Sequence, residues 1–314
     1  MSSASTALTI GNFDGVHLGH AALVRRAREL VGVGGRVVVL AFDPHPGAVL
    51  RPGSTPDRLS TFERRAEVLR SVGADQVVRL TPTRELLSQT PEEFVGSLVE
   101  RYGPAFIVEG DDFRFGKGRA GDVAMLAAMG DARGFQVDVV PPVEVCLSDH
   151  LIVRASSSVV RWLLVHGRVR DASLVLGRPY ALSGTVVQGD QKGRTLGYPT
   201  ANLSTDLLLP ADGVYAALGE LPDGRTAAAA VNIGSRPTFE GVGRRAEAYL
   251  MNSEGGPLEG LPGYGWPLTL RFSAWVREDL RFDSAQSLVD QIGRDCARVQ
   301  QVLEINASTR LAAC

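Results

Sequence analysis

A change of rhythm near residue 170 restricts the folds open to this chain more than any other feature. Before it, short apolar runs alternate with stretches of helical spacing. The runs are ALTI (7–10), RVVVLAF (36–42), QVVRL (76–80), AFIVEG (105–110) and QVDVV (136–140). Each is short and continuously apolar, as a strand buried on both faces must be. Between them, residues 17–31 carry Leu23, Val24, Ala27, Leu30 and Val31 at helical spacing, and 61–72 and 91–102 read the same way. The last of these has Thr90 as a cap and Pro91 in its first turn. Alternating strand and helix predicts a parallel sheet covered on both faces, with a ligand at the carboxyl ends of its strands.

From about residue 180 the pattern is different. Alternating or β-branched stretches (YALSGTVVQG, GVYAALGEL, RTAAAAVNIG, AEAYLM, WPLTLRFSAWV) are separated by Gly, Pro and Asp. They predict an antiparallel domain closed into a small barrel. A final helix is expected over 283–303, capped by Asp283 or Ser284, with Leu288, Ile292, Cys296, Val299 and Leu303 on one face. A linker is expected at 168–180, giving domains at 1–172 and 173–314. The 314 residues have room for both, and 44% hydrophobic content is enough for two cores, which excludes a largely disordered chain.

Composition narrows the function classes. A net charge of -2 gives no reason to expect nucleic acid or an anionic membrane as partner. Cys146, Cys296 and Cys314 lie far apart, show no metal spacing and are odd in number, unlike a secreted disulfide framework. The start MSSASTALTI lacks the basic and apolar regions of a signal peptide, and no run approaches the ~18 apolar residues of a membrane span. A cytoplasmic protein is expected; the oligomeric state is not legible.

The stretch TIGNFDGVHLGHAAL (9–23) joins the first strand to the first helix through a glycine-rich turn. Amides at a helix start are unpaired and attract phosphate. His17 and His20, one turn apart, can aim N–H donors at one oxyanion, and Gly11, Gly15 and Gly19 let a ligand approach the backbone. Taken alone, such a pair is more often core or surface than catalytic. Zinc is poorly served, because the i,i+4 spacing, the glutamate and a third ligand are missing. Two further segments bear on the question: VEGDDFRFGKGRAGD (108–122), and ASSSVVRWLLVHGRV (155–169), whose serines open a helix and could equally be its caps.

Together, GNFDGVHLGH, GDDFRFGKGRAGD and SSSVVRWLLVHGRV resemble, in order and spacing, the FMN adenylyltransferase module of prokaryotic bifunctional riboflavin kinase/FAD synthetases. FDPHP (42–46) is similar to the turn after that module's second strand. The resemblance covers about residues 7–170 and implies an α/β nucleotidyltransferase domain with a Rossmann-like fold. It further implies that Asn12, His17 and His20 touch ATP phosphates, and that Ser156, Ser157 and Arg161 hold the triphosphate from the other side. Asp112 and Phe113 would shape a flavin or adenosine pocket. The family's serine motif ends in threonine; Ser158 keeps the hydroxyl. An FMN phosphate oxygen is already ionised, so attack on the α-phosphorus of ATP needs alignment and charge neutralisation, from Mg²⁺, two histidines and an arginine, rather than a base.

The second dense stretch is GTVVQGDQKGRTLGYPTANL (184–203). Thr200 and Asn202 point the same way if this piece is extended, and both offer neutral oxygens that suit a magnesium also held by phosphates. No G-K-[ST] is present, so this is not a Walker A loop, and alone it reads as a hairpin. It resembles the riboflavin kinase motif G-x-x-x-G-R-x-L-G-x-P-T-A-N nearly letter for letter, with VNIGSRPTFEG (231–241) and RRAEAYLMN (244–252) following in family order. That resemblance implies a small β-barrel riboflavin kinase domain with a C-terminal helix over about 175–303. It makes Gly189 and Gly193 part of the ATP loop, Thr200 and Asn202 the metal ligands, and Glu247 the base. An alcohol is a poor nucleophile until its proton is removed, so a carboxylate within reach is chemically required. The bland alternative is a solvent-facing Glu247 paired with Arg244 or Arg245. Tyr249 stands where the family often has histidine, and Asp279 where glutamate is common; neither is expected to touch the chemistry. No histidine follows His166, so this half must work by carboxylate and metal.

The reading implied is a bifunctional enzyme acting on riboflavin, FMN and ATP. Three alternatives stay open: a related nucleotidyltransferase with another acceptor, a chain that keeps one of the two activities, and a flavin-binding regulatory protein on the same scaffold.

Overall fold

A computed structural model of the chain describes residues 5–189, 192–238 and 241–312. They divide into two units. The first gathers the described residues up to Pro56 with Thr61–Cys146 and Leu151–Ser157; the second holds Asp57–Ser60, Leu147–His150 and the chain from Ser158 onward.

The first unit is built on five parallel strands: β1 (Thr6–Gly11), β2 (Arg36–Phe42), β3 (Gln76–Leu80), β4 (Phe106–Gly110) and β5 (Gln136–Val140), in the order β3-β2-β1-β4-β5. Side chains alternate across the pleat and feed two separate cores. Ala7, Val37, Val39 and Ala41 pack with Val24 and Ala27 of helix α1 (Leu18–Val31) and Ala66 and Leu69 of α2 (Phe62–Ser71). Leu8, Ile10, Val38, Leu40 and Ile107 meet Phe94, Val95 and Leu98 of α3 (Pro91–Tyr102) and Leu126 of α4 (Val123–Arg133) on the opposite face. The sheet is therefore covered on both sides, as continuous apolar runs require.

Helix starts follow local chemistry. Thr61 accepts from Arg64 N at 3.2 Å, and Thr90 makes a full capping box with Glu93, with Pro91 at the first position. Helix α4 went unread in the sequence. Its signals are its termini: Asp122 accepts from Met125 N at 2.9 Å, and Gly134 closes the helix at φ 83°. In between it is rich in alanine and methionine, so no clear polar face marks it.

From Ser158 onward the second unit carries the rest of helix α5 (Ser157–Val165) and then α6 (Val169–Leu176). The stretch read as a linker is thus helical over most of its length. Its buried Val169, Ala172, Val175 and Leu176 form one apolar stripe, which the punctuation by Gly167, Gly177 and Pro179 obscured. The barrel follows: β6 (Ala181–Val187), β7 (Ala201–Ser204), β8 (Gly213–Glu220), β9 (Thr226–Thr238), β10 (Gly241–Met251) and β11 (Pro267–Arg277). They close in the order β6-β7-β10-β9-β8-β11, with antiparallel neighbours throughout. Tyr180, Tyr215 and Phe272 are buried in its core, Tyr215 edge-on to Phe272 at 5.4 Å. Helix α7 (Ala285–Ala312), with Ser284 accepting from Ser287 N at 3.1 Å, lays Cys296 and Val299 against Ala216, Tyr249 and Met251. It runs past the end expected at residue 303.

Candidate functional site

In the parallel-sheet unit, β1 leads directly into the turn Asn12–His17. Three residues of this turn have left-handed backbone: Phe13 (φ 50°), Gly15 (φ 77°) and Val16 (φ 45°). Glycine takes this at no cost, but a β-branched valine does not, at roughly 1–3 kcal/mol. Burial of Phe13 and Val16 in the core over-determines the turn. Arg65, from α2, fastens it from behind. Its guanidinium donates to Asn12 O at 2.7 Å and Phe42 O at 2.9 Å and pairs with Asp43, tying together the ends of β1 and β2. Ser157 Oγ donates to Asp14 O at 2.7 Å, joining the serine segment to the same turn.

His17 stands at the N-cap of α1 and is buried; its ring stacks on His20 with centroids 3.6 Å apart. Gly19 makes close room here, since a Cβ would come 3.1 Å from the His17 ring and 3.4 Å from Ala155 O, a tight fit. The two imidazoles share a cleft of roughly 220 Å³ with Gly11, Gly19, Asp112, Phe113 and Ser156. Asn12 Oδ1, at the start of the turn, is buried without a hydrogen-bond partner among the described residues. A buried acceptor in that state is expected where a ligand completes the site. Asp112 lies 3.4 Å from Arg154, and Phe113 stacks on Phe115 at 5.5 Å. Arg161 lies in the second unit, where Nε donates to Asp57 O at 2.6 Å; the cleft is lined without it. Among the lining residues that escaped the sequence reading is Glu109, buried, whose carboxyl accepts from Ile10 N at 2.6 Å. Burial pushes its pKa well above the ordinary carboxylate range; the Ile10 amide opposes this and the charge of Asp112 adds to it.

In the barrel, strand register does the assembling. Asn202 of β7 stands opposite Glu247 of β10, and Glu247 stands opposite Asn232 of β9. Directly paired residues project from the same face, so three polar side chains form one rung across three strands. All three, with Thr200, line a pocket of roughly 380 Å³. Asn232 Oδ1 is buried there without a partner among the described residues. A second pocket of roughly 290 Å³ lies against Gly189, Arg194, the Pro257–Leu258 and Gly260–Tyr264 segments and Trp266. Thr200 and Asn202 line both, so they are the wall where the two pockets meet. A Cβ on Gly189 would overlap the Asn202 carboxamide, and one on Gly193 would overlap Tyr198 O, so both glycines are needed for close approach.

Of the two arginines beside Glu247 in sequence, Arg244 is engaged with Asp212 at 2.8 Å and with Pro210 O. Tyr249 and Asp279, expected to stand apart from the chemistry, line the Glu247 pocket. Burial raises the Tyr249 hydroxyl to about 12, so it stays a neutral phenol. Arg277 also lines the pocket and forms a part-buried ion pair with Asp295 of α7, its Nε reaching both carboxylate oxygens at 3.0 and 2.9 Å. No group of three or more His, Cys, Asp and Glu able to hold a metal occurs among the described residues.

Comparison with known proteins matches two stretches of the chain to two families. The family described as FAD synthetase matches residues 1–154, and riboflavin kinase matches residues 176–303. The bifunctional riboflavin kinase/FMN adenylyltransferase of Escherichia coli (strain K12) is 36% identical over 299 residues, covering 92% of this chain and 90% of that protein. This chain belongs to the bifunctional riboflavin kinase/FMN adenylyltransferase family. The Pseudomonas fluorescens member is 37% identical over 92% of this chain and 90% of its own length. A crystal structure described as a macrolide-efflux protein from Streptococcus pneumoniae shares the fold with a TM-score of 0.83. It is 29% identical and covers 96% of this chain and 95% of that one. ATP is a substrate of both families joined here.

Proposed function

We propose that the barrel phosphorylates riboflavin with ATP and that the parallel-sheet cleft adenylylates the resulting FMN to FAD. The rung Asn202–Glu247–Asn232, set where two pockets share a wall, is the observation that carries this reading. A phosphoryl transfer needs a donor and an acceptor on opposite sides of one point. The pocket holding Glu247 takes riboflavin, because the base must face the alcohol. The pocket holding Gly189 and Arg194 takes ATP. Glu247 removes the proton of the ribityl 5′-hydroxyl as its oxygen bonds to the γ-phosphorus and the bond to ADP breaks.

Mg²⁺ is the metal assigned here. The donors fit it: the Thr200 hydroxyl and Asn202 carboxamide are hard neutral oxygens, and Asn232 Oδ1 is a buried acceptor awaiting a partner. Too few protein ligands are present for a closed cage, which suits an ion that also binds phosphates. When bound, it neutralises charge on the nucleotide.

In the cleft of the first unit, a phosphate oxygen of FMN bonds to the α-phosphorus of ATP and pyrophosphate departs. No proton has to be removed. His17, His20 and Asn12, with the amides at the start of α1, hold the phosphates; Ser156 and Ser157 assist from the facing segment, and Asp112 and Phe113 border the flavin. Adenylyl transfer is assigned to residues 1–172 and the kinase step to 173–314; the FAD synthetase match over 1–154 and the riboflavin kinase match over 176–303 support that order. The cytoplasm is the compartment assigned, where ATP is supplied and where the free thiols of Cys146 and Cys296 are at home. The efflux description is not carried to this chain, since no helix among the described residues is long and apolar enough to cross a membrane.

The test is direct. Purified protein is incubated with riboflavin, Mg²⁺ and each of ATP, CTP and GTP, and the flavins are separated by chromatography. FMN followed by FAD is expected with ATP; unchanged riboflavin with every nucleotide would defeat the reading.

A further inference from the structure

The parallel sheet is not equally joined along its length. β1 pairs with β2 at all six positions from Thr6↔Arg36 to Gly11↔Ala41, and β4 with β5 from Phe106↔Gln136 to Gly110↔Val140. Between β1 and β4, however, pairing stops after Ala7↔Phe106 and Leu8↔Ile107. The two halves of the sheet therefore part at the point where strand order reverses, and the cleft opens in that split. Parting leaves backbone groups that a continuous sheet would have paired. Ile10 N–H is one of them, and the Glu109 carboxyl reaches back from β4 to accept it at 2.6 Å. A side chain has taken the place of a strand's carbonyl.

We propose that Glu109 is a positioning residue for adenylyl transfer: it clasps the parted ends of β1 and β4 and so fixes the start of the Gly11–His17 turn that receives ATP. This rests on the assignment of that step to this cleft. Three observations support it. Glu109 is 2% exposed and lines the same cleft as His17 and His20, so it is part of the wall but offers almost no surface to a ligand. Ile10 is followed at once by Gly11 and Asn12, so a shift of Ile10 passes directly into the turn. Finally, burial pushes the carboxyl toward its neutral form, and what the Ile10 amide meets is an acceptor oxygen, which either form offers.

The clasp makes a distinction between two substitutions. Glu109→Gln keeps the acceptor oxygen and the shape; Glu109→Val keeps the bulk near the backbone and removes the acceptor. The full chain is assayed for FAD formation from FMN and for FMN formation from riboflavin, and amide exchange at Ile10 is followed by NMR. Glu109→Val is expected to raise the KM for ATP in FAD formation about tenfold with a much smaller change in kcat. It is also expected to lose protection at Ile10 and to leave the kinase rate in place, which certifies folding of the chain. Glu109→Gln is expected to rescue both the KM and the protection. If Glu109→Val keeps the wild-type KM and Ile10 protection, or if Glu109→Gln fails as Glu109→Val does, the clasp is wrong. Ile10 exchange is readable even in a protein that makes no FAD, so absence of the activity in the parent chain is distinguishable from failure of the clasp.

Discussion

Asn202 and Glu247 face each other across β7 and β10, one lining both barrel pockets and the other lining only the larger. That offset separates a group suited to metal and phosphate from a group suited to an alcohol. Glu247→Gln keeps the size of the side chain and removes its basicity. FMN formation from riboflavin should fall by ~10²–10⁴-fold, the range a general base contributes. FAD formation from supplied FMN should persist, as measured by chromatography of the flavins from the same preparation.

His20 bears on the other unit. Its ring is stacked on His17 and tilted against Phe13 at 5.0 Å, so truncation removes the proposed phosphate donor and the support of its neighbour together. His20→Ala should lower FAD formation by ~10²–10³-fold, the range for loss of one donor to a developing anion. Riboflavin phosphorylation should continue. If either this change or Glu247→Gln removed both activities equally in well-folded protein, two independent sites would be the wrong picture.

How much of this the sequence disclosed depended on how local each feature is. The buried strands of the sheet and the cap at Thr90 with Pro91 after it are written in consecutive residues and are readable there. Asn232 was not, because its meeting with Glu247 depends on the register between two strands, and register is a property of the folded pair. Tyr249 was set aside although it projects from the same face as Glu247, two residues along one strand; period two should have placed it in the same pocket. Glu109 sat at the end of an apolar run and gave one signal, a charge where a buried strand has none. Its purpose becomes visible only with the missing β1–β4 pairs.

Gly189 tests the geometry of the wall between the pockets. Its missing Cβ is what allows Asn202 to lie against the loop. Gly189→Ala should displace the carboxamide and lower kcat/KM of the kinase step by ~10²-fold, the loss that accompanies a shift of about 1 Å at a reacting centre. FAD formation should be unaffected. Paired kinetic measurements on the two half-reactions check it.

Arg65 tests the back of the histidine turn. It is 4% exposed, and removal of its guanidinium would take a donor from two carbonyls and break the closer of two arginine pairs to Asp43, leaving Arg79 at 3.3 Å. Breaking a buried pair from one side costs about 3–5 kcal/mol. Arg65→Met should therefore destabilise the parallel-sheet unit by about that amount, read by denaturant unfolding. The kinase activity should survive at concentrations of denaturant that abolish FAD formation.

Glu109 also sets a pH dependence of stability with a definite sign. Its folded pKa lies well above the ordinary carboxylate value because burial disfavours the charged form. Between the unfolded pKa of about 4.3 and the folded pKa, the folded chain keeps a proton that the unfolded chain has lost. Stability from this group is therefore intact below about pH 4.3 and falls as pH rises, by at most ~1.4 kcal/mol per pH unit, until the folded pKa is passed. Glu109→Gln carries no such proton, so the variant should gain on the parent chain as pH is raised from 5 to 8. Denaturant titrations of both proteins across that range measure the gap. A gap that stays constant would mean that the carboxyl is already ionised in the folded chain across that range, as it is in the unfolded chain.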